Sequence, residues 1–264
     1  MKIRNTEFDL RNTTYVMGIL NVTPDSFSDG GLHNTEEKAV ARALTMIEEG
    51  AAIIDIGGES TRPGFVPVGA DDEINRVIPV IKKLRTLSDI PISVDTTKPS
   101  VAAAAMEAGA DIVNTVEGVG ASSEMFKAVK ESGAFFVMTY EKGYVKTFGE
   151  ELVKMAERAV DAGISANRII VDPGIGFGKK QEENLRILNE LPLITQIPYP
   201  VLLGCSRKSV ILFADPDAKE VSERTAGTVV TTTLANLAGV GIVRVHDVKE
   251  NVRALRMLSA ICTA

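Results

Sequence analysis

The chain has 264 residues, of which 45% are hydrophobic and 24% are charged, and its formal net charge is −6. These values are ordinary for a globular protein of one large domain or two small ones. They argue against a nucleic-acid surface, because phosphate binding needs clustered lysine and arginine. No apolar run approaches the ~20 residues of a membrane span. Residues 1–14 lack an apolar signal-peptide core and the two cysteines cannot form a disulfide framework, so we expect a cytoplasmic protein without a membrane partner.

The predicted elements begin with a short β-hairpin in residues 1–13, which would close one end of a larger fold. Eight apolar runs rich in valine and isoleucine follow at 14–21, 52–58, 91–96, 111–116, 134–140, 169–175, 201–206 and 242–247. Such nearly continuous runs are typical of strands buried on both faces. Amphipathic stretches separate them, as in TEEKAVARALTMIEEG, where Ala39, Ala43 and Met46 share a helical face.

Alternation of strands and helices predicts a parallel sheet, and eight such units predict a closed (β/α)₈ TIM barrel. An open, doubly wound sheet is the alternative. No linker or low-complexity stretch divides the chain, so we expect residues 1–264 to form a single domain.

Polar side chains follow most of these runs at the point where each one ends. They are Asn21, the segment 59–64, Asp95, Asn114, Asp172, the segment 206–209, Arg244 and His246. The carboxyl ends of barrel strands meet at one face, where TIM-barrel enzymes keep their active sites. The pattern therefore predicts an active site at that face.

Six motifs resemble those of the dihydropteroate synthase family, the folate-pathway enzymes of the pterin-binding barrel superfamily. They occur in the family's order and are GILNVTPDSFSDGG, GGESTRPG, SVDT, DPGIGFGK, SRKS and RVHD. The resemblance implies condensation of 6-hydroxymethyl-7,8-dihydropterin diphosphate with p-aminobenzoate, which gives 7,8-dihydropteroate and pyrophosphate. It also implies that the loops after the first two barrel strands are mobile and close over the reactants.

A pterin presents adjacent N–H donors, which a carboxylate accepts in pairs, and charge-assisted hydrogen bonds of this kind are strong. By resemblance, the pterin contacts are Asp95, Asn114, Met138, Asp172 and Lys208. The alternative for Asp95 and Asp172 is that they cap the helices that follow them.

The leaving diphosphate needs positive charge. Arg62, Arg244 and His246 are expected to converge on it, and Asn21 with a Mg²⁺ ion that it binds would complete the anion site. The residues expected to be catalytic are these four and Lys208. The p-aminobenzoate contacts implied by the resemblance are Phe27, Thr61, Pro63, Phe177 and Ser209. The alternative to a binding role for Phe177 is ordinary core packing, and the alternative for Arg244 is a surface ion pair.

Two strands depart from the family pattern. The fourth barrel strand continues from Asn114 with Thr115 and Glu117 where the family has an acid and then Ser or Trp, and the fifth has Thr139-Tyr140 where the family has histidine and an apolar residue. A divergent relative therefore stays possible, either a corrinoid-dependent methyltetrahydrofolate methyltransferase or a silent pterin-binding protein. A methyltransferase needs no diphosphate site, so the retained Arg62, Arg244 and His246 argue against it.

The segment GIGFGKK at 174–180 is similar to a P-loop but lacks the Walker A spacing and the Ser or Thr after its lysine. It is therefore not predicted to bind a nucleotide. The family resemblance suggests a homodimer, and the helices predicted at 219–238 and 248–261 are apolar enough to pair.

Overall fold

The computed structural model of the chain describes residues 1–23, 32–59 and 68–263, with the backbone alone for 32–35. It contains a two-stranded antiparallel hairpin and a sheet of eight parallel strands. The hairpin strands are β1 (Lys2–Ile3) and β2 (Thr6–Glu7). The parallel strands are β3 (Tyr15–Asn21), β4 (Ile53–Gly57), β5 (Ile92–Asp95), β6 (Ile112–Thr115), β7 (Phe135–Thr139), β8 (Ile169–Asp172), β9 (Leu202–Leu203) and β10 (Ile242–Val245).

The eight strands close into a barrel. From β3 to β8 each strand pairs with its neighbour in sequence, and β10 pairs with both β3 and β9. Contact between β8 and β9 completes the ring through a parallel bridge of Val171 with Val201 and a hydrogen bond from Val171 N to Pro200 O at 3.0 Å. The predicted TIM barrel is thereby confirmed, and the open doubly wound sheet is excluded.

Helices surround the barrel in the connections between strands. They are α1 (Leu32–Glu49), α2 (Ala70–Leu87), α3 (Pro99–Ala108), α4 (Ser123–Ser132), α5 (Phe148–Asp161), α6 (Gln181–Asn189), α7 (Leu191–Ile194), α8 (Ser209–Ala214), α9 (Thr225–Leu237) and α10 (Val248–Cys262). Gly109 and Gly133 end α3 and α4 at φ of 110° and 68°, a left-handed conformation that glycine adopts without a Cβ clash. Within the described ranges, every helix is too short or too polar to span a membrane.

The barrel interior is apolar at its amino end. The inward side chains there form one cluster with the hairpin and the residues after it: Ile3, Phe8, Leu10, Met17, Ile53, Ile112, Val137, Ile170, Leu202 and Ile242. The hairpin thus plugs this end, as predicted. Two residues further along several strands, the inward positions become polar: Asp55, Asn114, Thr139, Asp172 and Arg244. This change positions the site at the carboxyl end.

Candidate active site

Strand register brings several predicted residues side by side. Asn21 pairs with Gly57, Gly57 with Asp95, and Asp95 with Asn114. A Cβ on Gly57 would lie 3.6 Å from the Cβ of Asp95 and 3.8 Å from Oδ1 of Asn21. The missing side chain at Gly57 therefore lets Asn21 and Asp95 face one space.

Arg244 lies inside the barrel and bonds two carboxylates. Its Nε donates to Asp55 Oδ2 at 2.5 Å, and its Nη2 donates to Asp95 Oδ2 at 2.5 Å. Asn114 Nδ2 donates to the same Asp55 oxygen at 3.2 Å. The surface ion pair considered for Arg244 is excluded, since its side chain is 17% exposed and that of Asp55 is fully buried.

Two carboxyl groups share one guanidinium in a buried place, so the guanidinium cannot neutralise both if both are ionised. Burial raises the pKa of Asp95 to about 7, with Asp55 adding to the rise and Arg244 opposing it. For Arg244, burial alone would lower the pKa, but Asp55 and Asp95 outweigh it and raise the pKa. Asp95 does not cap α3, whose N-cap residue is Lys98. The helix-cap alternative for Asp95 is therefore wrong.

Asp172 and Lys208 form the other half of the polar cluster. Asp172 Oδ1 accepts from Gly174 N at 2.7 Å, so it holds the loop after β8 and not α6, which begins at Gln181. Lys208 Nζ donates to Ile175 O at 2.5 Å and lies 4.4 Å from the centre of the Phe177 ring. Burial raises the pKa of Asp172 and lowers that of Lys208, and each charge opposes the shift of the other.

His246 and Ser206 meet beside this cluster. His246 Nδ1 lies 3.0 Å from Ser206 Oγ, which also accepts from the His246 backbone N–H at 3.2 Å. Arg207 Nε donates to Asp247 Oδ2 at 3.0 Å. The carboxylate of Asp247 thereby fixes an arginine next to the histidine.

A cavity of about 340 Å³ opens at this end of the barrel. The predicted residues that line it are Asn21, Asp95, Phe177, Lys208, Ser209, Arg244 and His246. Asn114 and Asp172 are buried next to it, and a Cβ on the cavity residue Gly204 would lie 3.3 Å from Asp172 Oδ2. Phe177 is half-buried in the cavity wall and not in the core. Phe27, Thr61, Arg62 and Pro63 lie outside the described residues.

Met138 is the predicted pterin contact that the structure does not bring to the cavity. It lies on the face of β7 that also carries Phe136, whose ring packs edge-on against Phe126 of α4 with centroids 6.1 Å apart. Side chains alternate along a strand, so Met138 faces the helices. Thr139, one of the departures from the family pattern, pairs with Asp172 and faces the interior. This placement gives no support to a pterin contact by Met138.

Sequence reasoning missed Asp55 and Arg224, and it placed Arg207 at the active face within the segment 206–209 without giving it a role. Asp55 holds Arg244, while Arg207 and Arg224 line the cavity and are joined by a hydrogen bond from Arg224 Nη1 to Arg207 O at 3.1 Å. A carboxylate within the apolar run AIIDIGG was the available signal for Asp55, because a charge is costly inside a strand buried on both faces.

A second cavity, of about 580 Å³, opens beside α3 and α4 and is lined by Ile3, Arg4 and Glu107 among others. It contains none of the predicted site residues. Its Ile3 belongs to the plug at the amino end, where the barrel fold places stability and not catalysis. Carboxylates, an amide and cations gathered at the opposite end define an enzyme of the TIM-barrel class.

Comparison with known proteins narrows this class. A family model described as pterin binding enzyme matches residues 17–246. The dihydropteroate synthase of Clostridium beijerinckii is 46% identical over 268 residues, covering 99% of each chain. A solved dihydropteroate synthase from Clostridium difficile, in the presence of pteroic acid, superposes with a TM-score of 0.90 at 45% identity, covering 97% of this chain and 99% of that one. A solved dihydropteroate synthase from Xanthomonas albilineans with 4-aminobenzoic acid has a TM-score of 0.89 at 41% identity, covering 95% of this chain and 94% of that one.

The chain therefore belongs to the dihydropteroate synthases, within the family of pterin-binding enzymes. Members of this group are transferases of folate biosynthesis. The family and the class of enzyme predicted from the six motifs are confirmed.

Proposed function

We propose that this chain joins p-aminobenzoate to the methylene carbon of 6-hydroxymethyl-7,8-dihydropterin diphosphate and releases pyrophosphate. Asp95, Asp172 and Asn114 adjoin one cavity whose wall carries cations, and this convergence is the main support for the proposal. Relatives over 40% identical, matched over 95% or more of this chain, carry the name of this activity.

The pterin ring is proposed to bind at the buried end of the cavity. The carboxylate of Asp172 accepts two N–H groups of the aminopyrimidinone edge, and Asn114 offers both a donor and an acceptor. Lys208 lies between Phe177 and the Asp172 side of Gly204, so it reaches a ring oxygen or nitrogen. The other cavity carboxylate, Asp95, bonds Arg244 through Oδ2 and accepts further donors through its other oxygen.

The diphosphate is proposed to lie toward the open side, near Arg244 and His246. A pterin that donates to Asp95 competes with Arg244 for that carboxylate. This competition frees N–H groups of the Arg244 guanidinium, which can then donate to the oxygens of the leaving diphosphate. Arg62, in the segment outside the described residues, is proposed to complete the charge around the diphosphate. Preorganised cations of this kind stabilise the charge that develops on a leaving group.

Magnesium is proposed to enter with the diphosphate. No group of three or more His, Cys, Asp or Glu is placed to hold a metal in the part of the chain that the structure describes. Asn21 lines the cavity, and among the described residues its amide makes no hydrogen bond. A single amide oxygen beside a phosphate fits Mg²⁺, which keeps most of its ligands from water and phosphate. Bound there, the ion would neutralise charge on the diphosphate.

The second substrate needs positioning and not activation. An arylamine is neutral and nucleophilic at pH 7, so no strong general base is required. Phe177 is proposed to form one wall for its ring and Ser209 to meet its carboxylate, with Phe27, Thr61 and Pro63 on the outer side. Holding both reactants in register then supplies most of the rate increase.

The assay that separates this function from its alternatives uses the purified chain with the pterin diphosphate, p-aminobenzoate and Mg²⁺. Pyrophosphate release that depends on p-aminobenzoate supports the synthase. Methyl transfer from methyltetrahydrofolate to a corrinoid protein would overturn it, as would pterin binding without either reaction.

A homodimer is proposed through α9 and α10, which pack against each other. Val230, Leu234 and Leu237 lie at i, i+4 and i+7 on α9 and are 66%, 36% and 63% exposed. Met257 and Ile261 lie one turn apart on α10 and are 63% and 60% exposed. Exposed apolar side chains clustered along two neighbouring helices are typical of an interface between subunits.

A further inference from the structure

The P-loop-like segment GIGFGKK contains Lys179, whose side chain bonds protein backbone. Its Lys179 directs Nζ into a cage of three backbone carbonyls. The ammonium donates to Tyr140 O at 2.6 Å, to Gly174 O at 3.0 Å and to Phe177 O at 3.0 Å. One carbonyl follows β7 and two belong to the loop after β8, so a single side chain joins two neighbouring loops of the active face.

The two loops are pressed together at the same place. Gly174 has φ of +71°, and a Cβ there would lie 2.2 Å from Tyr140 O. Gly178 has φ of +61°, and a Cβ there would lie 2.1 Å from Glu141 O. Only glycine fits this contact, because the clashing atoms are backbone oxygens that no rotamer change can move.

The loop that Lys179 holds is the one that holds Lys208. Ile175 O accepts from Lys208 Nζ at 2.5 Å, and the Phe177 ring lies 4.4 Å from the same atom. Both contacts come from residues inside the span that Lys179 fixes at Gly174 and Phe177. A shift of this span would move the carbonyl and the ring that orient Lys208.

We propose that Lys179 is a positioning residue for the pterin pocket, acting through the loop 174–178 on Lys208 and Phe177. The proposal rests on the proposed function for its substrate, a pterin. Three N–H donors of an ammonium match three carbonyls, whereas a neutral amine or a glutamine amide offers two donors and methionine offers none. Loss of the charge therefore loosens the loop.

The electrostatic surroundings make this residue sensitive to alkaline pH. Burial, with a smaller contribution from the charge of Lys208, lowers the pKa of Lys179 to about 8, while Asp172, Glu141 and Glu183 oppose the shift. Burial also lowers the pKa of Lys208, so both lysines bear on the alkaline response. An arginine at position 179 keeps its charge throughout the alkaline range. The K179R variant therefore distinguishes the titration of Lys179 from that of Lys208.

The test uses K179M and, as a matched control, K180M, since Lys180 is the exposed neighbour. Affinity for a diphosphate-free pterin is measured by titration beside KM, kcat and the melting temperature. We expect K179M to weaken pterin affinity and to raise the pterin KM about tenfold or more, with kcat changed less and K180M within twofold of wild type. An unchanged affinity in K179M, or an equal loss in K180M, would overturn the proposal.

If K179M does not fold, the wild-type chain and K179R carry the test. Pterin affinity of the wild type should fall as pH rises above about 8, and K179R should lose that part of the decline. Identical alkaline profiles would assign the titration to Lys208 and contradict the role of Lys179. Failure of the proposed function is seen separately, as absence of pterin binding in the wild type.

Discussion

Arg244 shares one guanidinium between Asp55 and Asp95, and this arrangement has consequences for binding at the residue scale. Removing one member of a buried ion cluster leaves another member without its partner, which is costlier than removing the whole cluster. Asp55 has no contact with solvent, and its Oδ1 has no hydrogen-bond partner among the described residues. The network therefore holds unsatisfied acceptor capacity that a ligand N–H group or a water molecule can fill.

Asp172 is the residue whose removal should affect pterin binding most simply. D172N keeps the shape but replaces a charged acceptor, and a lost charge-assisted hydrogen bond costs roughly 1.5–3 kcal/mol. We expect pterin affinity to fall by that amount in a calorimetric titration while the fold is retained. Affinity equal to wild type would remove Asp172 from the pocket.

Asp95 should give stability an unusual pH dependence. Its pKa in the folded chain, about 7, lies above the ordinary 3.8, so between these values the folded state holds a proton that the unfolded state releases. The free energy of unfolding should therefore fall as pH rises from about 4 to about 7 through this group. Urea denaturation of the ligand-free chain should show D95N gaining on the wild type across that window. If D95N instead loses stability relative to the wild type as pH rises, the Arg244 ion pair dominates over burial.

At the scale of elements, the strands serve two ends of the barrel with different tasks. The inward side chains of β4, β6, β8 and β10 are apolar at the hairpin end. The same strands carry Asp55, Asn114, Asp172 and Arg244 two residues further on. Loops tie the active end together, because Glu141 accepts from Val119 N at 3.0 Å and Gly120 N at 2.8 Å. Substitutions at the hairpin end should therefore lower stability, and substitutions at the active end should lower pterin affinity.

The hairpin region gives a direct check of this separation. Phe8 is 2% exposed and packs edge-on against Tyr15 with ring centroids 4.7 Å apart. F8A should lower the free energy of unfolding by about 3–5 kcal/mol, as for other buried phenylalanines. Pterin affinity should stay at the wild-type value, whereas F177A should lose affinity with a smaller loss of stability. Denaturation and pterin titration on both variants make the comparison, and loss of affinity in F8A would contradict it.

At the scale of the whole molecule, the barrel was predictable because each strand is an apolar run long enough to be buried on both faces. The sequence did not reveal which side chains of a strand face the barrel interior and which face the helices. In FFVMTY the apolar run shows no alternation, so nothing in it reveals that Met138 faces the helices and Thr139 the interior. Contacts that depend on barrel closure could also not be predicted from the sequence. Asp55 meets Arg244 only because β4 and β10 both flank β3.

The proposed dimer is also a property of the whole molecule. Replacing Leu237 and Met257 by glutamate places charges on the exposed apolar surface of α9 and α10, so L237E/M257E should be monomeric by sedimentation while the wild type is dimeric. L193E is the matched control, since Leu193 is equally exposed, at 67%, on α7. A monomeric wild type, or dissociation by L193E alone, would contradict an interface at α9 and α10.

Identification of both products in one reaction tests the central claim most directly. With the pterin diphosphate, p-aminobenzoate and Mg²⁺, the wild-type chain should form 7,8-dihydropteroate and pyrophosphate in equal amounts, and neither product without p-aminobenzoate. D172N should form both more slowly at low pterin concentration, still in equal amounts. Pyrophosphate released without dihydropteroate, or no product while the pterin is bound, would contradict the account.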